Sequence, residues 1–269
     1  MAIRLLSVDV DGTITNGRNQ VTQATADALR RAAAAGVIVT LNTGRNLCES
    51  QMVLDRVPEI RYLMGCTGAF LMDVQQHERL SNHTLDIVTA RQVNAIFRKY
   101  DTLIGIFYDD LVCNQADEIG QFTRFYPAEM KSVFDTHTVV PSLTATLAAR
   151  EGGVDKFYVV FADAAAQQAA LREIEPLPVF VTSAGFIDME VMAQDANKGA
   201  ILLELAERLN IRPEEILAIG DSENDVAMLQ TAGIGVAMGN AKMCIRDRRQ
   251  KDAEGAAHGA HSFLMMMAA

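Results

Sequence analysis

The chain has 269 residues, of which 49% are hydrophobic and 22% charged, and its formal net charge is −10. This composition excludes a disordered or fibrous protein and leaves room for one large domain or two modest ones. The acidic charge argues against a nucleic-acid-binding surface, and no apolar run approaches the roughly 20 residues that span a bilayer.

The four cysteines are scattered, and charged residues follow almost directly after the start of the chain. Neither a zinc site nor a disulfide framework is indicated, and a secretory signal is not expected. We therefore expect a cytoplasmic protein whose partner is a small molecule, with no nucleic acid and no membrane; the oligomeric state is not predicted.

The first third of the sequence alternates between strand and helix patterns. A polar residue, Thr22, precedes an alanine-rich helical stretch that stops at Gly36. Repeated strand–helix units of this kind predict a parallel sheet with helices on both faces, a Rossmann-like α/β core. The predicted strands are 5–8, 37–41 and 62–64, and the predicted helices are 22–35 and 47–56.

The middle of the chain breaks this alternation and predicts an α+β unit inserted into the first domain. The alternation resumes afterwards with a helix over 199–209, a strand over 216–219, a helix over 224–231 and a strand over 234–237. We therefore predict a discontinuous core of residues 1–80 and 190–241, and an inserted domain of residues 81–189. Within the insertion we predict helices over 85–100 and 164–174, and strands over 104–108, 156–161, 179–181 and 186–191.

The residues after the first predicted strand carry the strongest chemical signal. Asp9 and Asp11 are two residues apart, so their carboxylates can turn toward the same side of the sheet edge. Like charges held so close repel, and a cation or a shared proton would compensate them. A solvated turn or a fragment of a calcium loop explains the same residues when they are taken alone.

A second pair of carboxylates, Asp221 and Asp225, brackets the turn after another predicted strand. Carboxyl ends of parallel strands meet at one edge of the sheet, so this pair should converge with Asp9 and Asp11. Together they form a set of hard oxygen ligands suited to Mg²⁺. Helix capping is the structural alternative for Asp221 and Asp225.

Two further positions favour binding of a phosphate. Thr43 and Gly44 offer a hydroxyl and backbone N–H groups at a helix start, although an N-cap is the better explanation when they are taken alone. Lys198 begins a helix, where a cation opposes the helix dipole. A lysine at that position makes sense if it faces the carboxylates or a bound phosphate.

Taken in order, these residues resemble the four motifs of the haloacid dehalogenase superfamily, and more narrowly its Cof-like sugar-phosphatase branch with a large α/β cap. The resemblance covers residues 1 to about 241, and the combination is specific although each piece is not. The matching residues are Asp9-x-Asp11-Gly12-Thr13, Thr43, Lys198 and Gly220-Asp221-x-x-Asn224-Asp225.

The resemblance implies a role for each matching residue. Asp9 would be the nucleophile that becomes an aspartyl phosphate, and Asp11 would protonate the leaving group and later deprotonate water. Mg²⁺ would be held by Asp9, the backbone carbonyl of Asp11, Asp221 and Asp225, the last directly or through water. The phosphate-binding residues would be Thr43, Gly44, Lys198 and Asn224.

The resemblance implies an enzyme, a Mg²⁺-dependent phosphatase acting on a small phosphorylated metabolite such as a sugar phosphate. The inserted domain would be a cap that selects the substrate. A phosphomutase of the same superfamily is the first alternative, and a non-catalytic phosphate-binding module is the second.

Two segments depart from the family pattern. Thr67 stands where relatives usually carry Asn, so we expect altered local hydrogen bonding there. From Lys242 the sequence no longer follows the family, and residues 243–248 read like a translated sequencing adapter. We interpret 242–269 as an atypical, chimeric tail, with a genuine divergent terminus as the alternative.

Overall fold

The computed structural model describes residues 2–127, 134–183 and 187–241. The interpretation of 242–269 as a chimeric tail concerns residues outside this set. Over the residues that are described, every helix is too short or too polar to cross a lipid bilayer.

The chain folds into two compact units. Among the described residues, the first comprises those up to Ser81 together with 197–241, and the second is Asn82–Ala196. The second unit is therefore an insertion in the chain of the first, and the predicted fold class, a parallel α/β core with an inserted α+β domain, is confirmed.

Within the described residues, the first unit is built on a seven-stranded sheet. Numbered along the chain, its strands are β1 (Leu5–Val8), β2 (Ile38–Asn42), β3 (Tyr62–Gly65), β4 (Phe70–Asp73), β5 (Glu78–Asn82), β12 (Ile216–Gly220) and β13 (Ile234–Ala237). They lie in the order β13-β12-β1-β2-β3-β4-β5. The pairings from β13 through to β3 are parallel, and β4 returns antiparallel to β3.

Four α-helices lie in the described part of this unit, and local chemistry explains how the first two begin. The Thr22 side chain accepts a hydrogen bond from the Thr25 amide at the first helix, and Asn46 forms a capping box with Glu49 at the second. These helices are α1 (Gln23–Ala34), α2 (Leu47–Arg56), α7 (Lys198–Arg208) and α8 (Val226–Thr231).

The central strands β1 and β12 of this sheet are buried on both faces. Leu5 packs in a cluster with Ile201, Leu202 and Leu205 of α7, and the next residue, Leu6, points to the other face and is equally buried. The continuous apolar runs of β1 and β12 therefore reflect a sheet that is covered on both sides. The ends of these strands are then the part of the sheet that a ligand can reach.

The second unit has a six-stranded sheet among its described residues. The strands are β6 (Thr102–Tyr108), β7 (Leu111–Gln115), β8 (Thr138–Val140), β9 (Lys156–Phe161), β10 (Val179–Thr182) and β11 (Asp188–Ala193), in the order β10-β11-β9-β6-β7-β8. The helices are α3 (Ile87–Phe97), α4 (Ala116–Ile119), α5 (Leu143–Ala149) and α6 (Ala164–Ile174). In the core of this unit the ring of Phe97 lies 6.1 Å from Phe157 and 5.9 Å from Phe161.

The second boundary of the inserted unit differs from the sequence expectation. The sequence pattern puts it at 189/190, which falls inside β11, whereas the structure places it at 196/197. The physical reason is that β11 pairs antiparallel with β9 and β10, so the whole strand belongs to the inserted sheet.

Candidate active site

Three of the chemistry-bearing residues follow neighbouring strands of the first unit. Asp9 comes directly after β1, Thr43 after β2 and Asp221 after β12, and these three strands are adjacent and parallel. Their carboxyl ends therefore present the three side chains at one edge of the sheet, as the strand-end argument predicts.

Three carboxylates gather at this edge around one ammonium. Oxygen atoms of Asp9, Asp221 and Asp225 all lie within 4.8 Å of one another. The Lys198 Nζ donates to Asp9 Oδ1 at 2.7 Å and to Asp225 Oδ1 at 2.6 Å. Asp9, Asp225 and Lys198 are buried, so these interactions are little screened by water.

The electrostatics of the group are unbalanced. Burial and the charge of Asp225 raise the pKa of Asp9 to about 8, against the opposing effect of Lys198. Burial and Asp225 also raise the pKa of Asp221. For Lys198, burial lowers the pKa, but Asp225 and Asp9 raise it above its ordinary value overall, so its ammonium stays charged. Three carboxylates around one ammonium leave excess negative charge.

The donor set fits a divalent cation. Among the described residues, the Asp9 Oδ2 is buried without a hydrogen-bond partner. Oxygen ligands with excess negative charge are what Mg²⁺ requires, and a cation bound here would satisfy that atom and relieve the repulsion. Asp9, Asp221 and Asp225 are therefore the residues able to hold a metal.

Neighbouring polar groups orient two of these carboxylates. The Asp225 Oδ2 accepts from the backbone N–H groups of Asp221 and Ser222, both at 2.9 Å. Asp221 accepts from the Thr13 hydroxyl at 3.3 Å and from the Asn240 side-chain amide at 3.2 Å. Such outer contacts set the direction of potential metal ligands.

The carboxylate of Asp11 lies outside this group. Its side chain is 62% exposed, and its two oxygens accept from Arg45 Nε at 2.9 Å and Nη2 at 2.5 Å. The reason is the irregular turn Val10–Ile14, which departs from strand geometry directly after Asp9. The alternation of side-chain direction along a strand therefore does not apply to Asp11, and its carboxylate does not join that of Asp9 as the sequence argument expects.

The predicted phosphate-binding residues lie around the same edge. Thr43 is fully buried, its hydroxyl accepts from the Arg45 N–H at 3.2 Å, and half-buried Gly44 follows it. Asn224 is buried on the turn Glu223–Asp225, where its Oδ1 accepts from the Ser222 hydroxyl at 2.7 Å.

Thr67 adopts a left-handed backbone, with φ of +60°, and its N–H donates to the Thr43 carbonyl at 2.9 Å. A β-branched residue is uncommon in this conformation, which Asn tolerates better.

Position 12 requires glycine, because its φ is +76° and an added Cβ would lie 2.3 Å from Asp221 Oδ2. We expect Gly12→Ala to lower stability by about 3 kcal/mol, through backbone strain and displacement of the Asp221 carboxylate. The thermal unfolding midpoint measures this loss. Gly17→Ala is the matched control, since open space surrounds that position, and equal midpoints for the two variants would contradict the prediction.

Several residues of the site were not singled out from the sequence. Arg45 follows Thr43 and Gly44 in the sequence, but nothing in its position predicts a contact with Asp11. Nothing in the sequence around Asn240 predicts its contact with Asp221. Thr13 belongs to the first motif, where it had no assigned role. The sequence shows that these residues lie close to a motif along the chain, but it does not show which residue each of them contacts.

Comparison with known proteins places these observations in a family context. A family model described as haloacid dehalogenase-like hydrolase matches residues 6–248. The phosphatase YwpJ of Bacillus subtilis is 26% identical, over 91% of this chain and 92% of its own length.

Solved structures share the fold. A haloacid dehalogenase-like hydrolase from B. subtilis aligns with a TM-score of 0.81 at 23% identity, covering 98% of this chain and 99% of that one. A sugar phosphatase of haloacid dehalogenase subclass IIB aligns with a TM-score of 0.77 at 20% identity, covering 98% of each chain.

Proposed function

The chain belongs to the haloacid dehalogenase-like hydrolases, and from that membership we propose that it is a Mg²⁺-dependent phosphatase that cleaves a small phosphorylated metabolite through a phosphorylated Asp9. The membership confirms the family predicted from the four motifs and makes the chain a phosphoric monoester hydrolase. The observation that carries the finer proposal is the state of Asp9, a buried carboxylate. One of its oxygens accepts a hydrogen bond from Lys198, and the other has no hydrogen-bond partner in the part of the chain that the structure describes.

In the proposed first step, a carboxylate oxygen of Asp9 attacks phosphorus. The bond from phosphorus to the leaving oxygen breaks, its electron pair passes to that oxygen, and the oxygen takes a proton from Asp11. The Lys198 ammonium fixes the orientation of Asp9 and offsets the charge of the phosphoryl oxygens, a form of electrostatic preorganisation.

In the second step, a water oxygen attacks phosphorus and the Asp11 carboxylate accepts the water proton. The bond between Asp9 and phosphorus breaks, and its electron pair returns to the Asp9 carboxylate. Thr43 with Gly44 and Asn224 would hold the phosphoryl group through a hydroxyl, backbone N–H groups and a side-chain amide.

Asp9, Asp221 and Asp225, with the backbone carbonyl of Asp11, would hold Mg²⁺. When bound, the cation supplies positive charge to the phosphoryl oxygens. The excess of carboxylates over ammonium groups and the unpartnered Asp9 Oδ2 support this assignment.

A sugar phosphate is the proposed substrate class, supported by the likeness to a structure described as a sugar phosphatase. We propose that the inserted unit, Asn82–Ala196, acts as the cap domain that selects the leaving group.

The proposal is tested by phosphate release from p-nitrophenyl phosphate. We expect turnover with Mg²⁺, loss of at least about 100-fold after chelation with EDTA, and recovery when Mg²⁺ is restored, because the carboxylates alone repel a phosphate dianion. Mg²⁺ should also raise the thermal unfolding midpoint, since it binds the folded state.

A panel of sugar phosphates, nucleotides and phosphorylated cofactors then ranks substrates by kcat/KM. Folded protein that releases no phosphate from any of these esters with Mg²⁺ would contradict the proposed function. Activity that is unaffected by EDTA would contradict the metal assignment alone.

A further inference from the structure

The Arg45 side chain is the centre of a hydrogen-bonded cluster in the first unit. The guanidinium donates to both oxygens of Asp11, to the Glu49 carbonyl at 3.0 Å and to the Asn19 side-chain oxygen. Arg45 thus joins the turn after β1, the loop before Val21 and the start of α2.

The two partners differ sharply in exposure. The Arg45 side chain is 11% exposed, whereas that of Asp11 is 62% exposed. Burial lowers the pKa of Arg45, but its hydrogen bonds to Asp11 and the charge of Asp11 raise it overall, so the guanidinium is permanently charged. The buried Arg45 guanidinium thus holds the exposed Asp11 carboxylate through two hydrogen bonds, and without them that carboxylate would move in solvent.

The Asp11 side chain projects from a turn and not from a strand. Asp11 lies in the irregular turn Val10–Ile14 beside Gly12, whose φ is +76°. Within the described residues, Arg45 is the hydrogen-bond donor found for the Asp11 carboxylate. The direction of that side chain therefore depends on Arg45.

Arg45 is itself fixed relative to the phosphate-binding residues. The backbone N–H of Arg45 donates to the Thr43 hydroxyl at 3.2 Å. The capping box of Asn46 and Glu49 follows immediately along the chain. The loop that carries Thr43 thus also carries the partner of Asp11, so one rigid segment relates the two residues.

We propose that Arg45 is a positioning residue that acts through Asp11, holding its carboxylate where it can exchange a proton with the leaving oxygen and apart from Asp9. This inference rests on the proposed function. A bidentate guanidinium presents a carboxylate in one plane and one orientation, and proton transfer depends on that geometry. Asp11 enters the first step as the carboxylic acid, and its proton moves to the leaving oxygen as the bond from that oxygen to phosphorus breaks. The step leaves the Asp11 carboxylate, the form that accepts from Arg45 through both oxygens.

Two esters of similar shape test this role. The p-nitrophenolate ion leaves readily without a proton, whereas the more basic phenolate of phenyl phosphate needs one. We expect Arg45→Gln to lower kcat/KM about 30-fold for phenyl phosphate, within the range that a general acid contributes. For p-nitrophenyl phosphate the loss should be about 3-fold or less by the same reasoning. The parameter kcat/KM is chosen because it reports the attack by Asp9 and not the later hydrolysis.

A double-mutant cycle separates action through Asp11 from direct contact with phosphate. If Arg45 acts through Asp11, adding Arg45→Gln to Asp11→Asn should change kcat/KM by about 2-fold or less. Arg45→Lys should restore activity on phenyl phosphate in part, since it keeps the charge but loses the fork. If Arg45→Gln does not fold, the two esters are compared with the Arg45→Lys variant instead.

Arg61→Gln is the matched control, because Arg61 also binds a carboxylate, that of Asp73, within the same unit. Its ratio of kcat/KM for the two esters should equal that of the wild-type protein. Equal losses on both esters for the Arg45 variant, or full additivity with Asp11→Asn, would overturn the inference while the phosphatase function stands. Absence of turnover by the folded wild-type protein overturns both.

Discussion

Asp9→Asn is expected to abolish phosphatase turnover, with kcat for p-nitrophenyl phosphate falling by about 10⁴-fold or more. The substitution keeps the shape of the side chain and its capacity to accept from Lys198, but an amide does not attack phosphorus. The thermal midpoint of the metal-free variant should equal or exceed that of the wild-type protein, since one of three crowded carboxylates is removed.

Asp27→Asn provides the matched control, because Asp27 lies on the exposed side of α1 and pairs with Arg30. We expect its turnover to be that of the wild-type protein. If Asp9→Asn kept more than about one per cent of the rate, the assignment of Asp9 as the nucleophile would fail. The phosphatase activity itself would then require another nucleophile, such as an activated water.

Lys198→Met is expected to destabilise the protein by about 3–5 kcal/mol, because it leaves Asp9 and Asp225 buried without their shared ammonium. For a protein of this size, the loss corresponds to a fall of about 10 °C in the thermal midpoint. Turnover should fall as well, since Lys198 orients Asp9. Mg²⁺ should recover part of the midpoint, because it supplies positive charge to the same carboxylates.

The control for this variant is Lys99→Met, which removes an exposed ion pair with Glu173. Pairs of that kind contribute about 1 kcal/mol or less, so its midpoint should change little. A midpoint for Lys198→Met that matches the control would show that the buried cluster is not held by Lys198. This comparison needs no assay of activity and stands independently of the substrate.

The sequence alone predicted the part of the site that depends on topology. Asp9, Thr43 and Asp221 converge because each follows a parallel strand, and apolar runs ended by polar residues mark those strand ends. Lys198 was predictable for a different reason, because a cation at a helix start opposes the dipole. The structure places its ammonium between two of the predicted carboxylates.

The rest of the site depends on geometry that local patterns do not contain. The pairing of Asp11 with Arg45 arises from an irregular turn, and no periodicity describes such a turn. Likewise, the sequence pattern indicates β11 as a strand, but its membership of the inserted sheet follows from pairing with β9 and β10. The boundary predicted at 189/190 therefore differs from the one in the structure.

The discontinuity of the first unit has a consequence for biosynthesis. Strand β1 pairs with β12, so Leu5 meets Ile216 only after the whole inserted unit has been made. Contacts of such long sequence separation form slowly, whereas Asn82–Ala196 is contiguous and can fold as soon as it emerges from the ribosome. Asp9 leaves the ribosome early but gains Lys198 and Asp225 last. A nascent chain therefore contains Asp9 without its electrostatic partners until Asp225 has been made, and the candidate site can assemble only after that point.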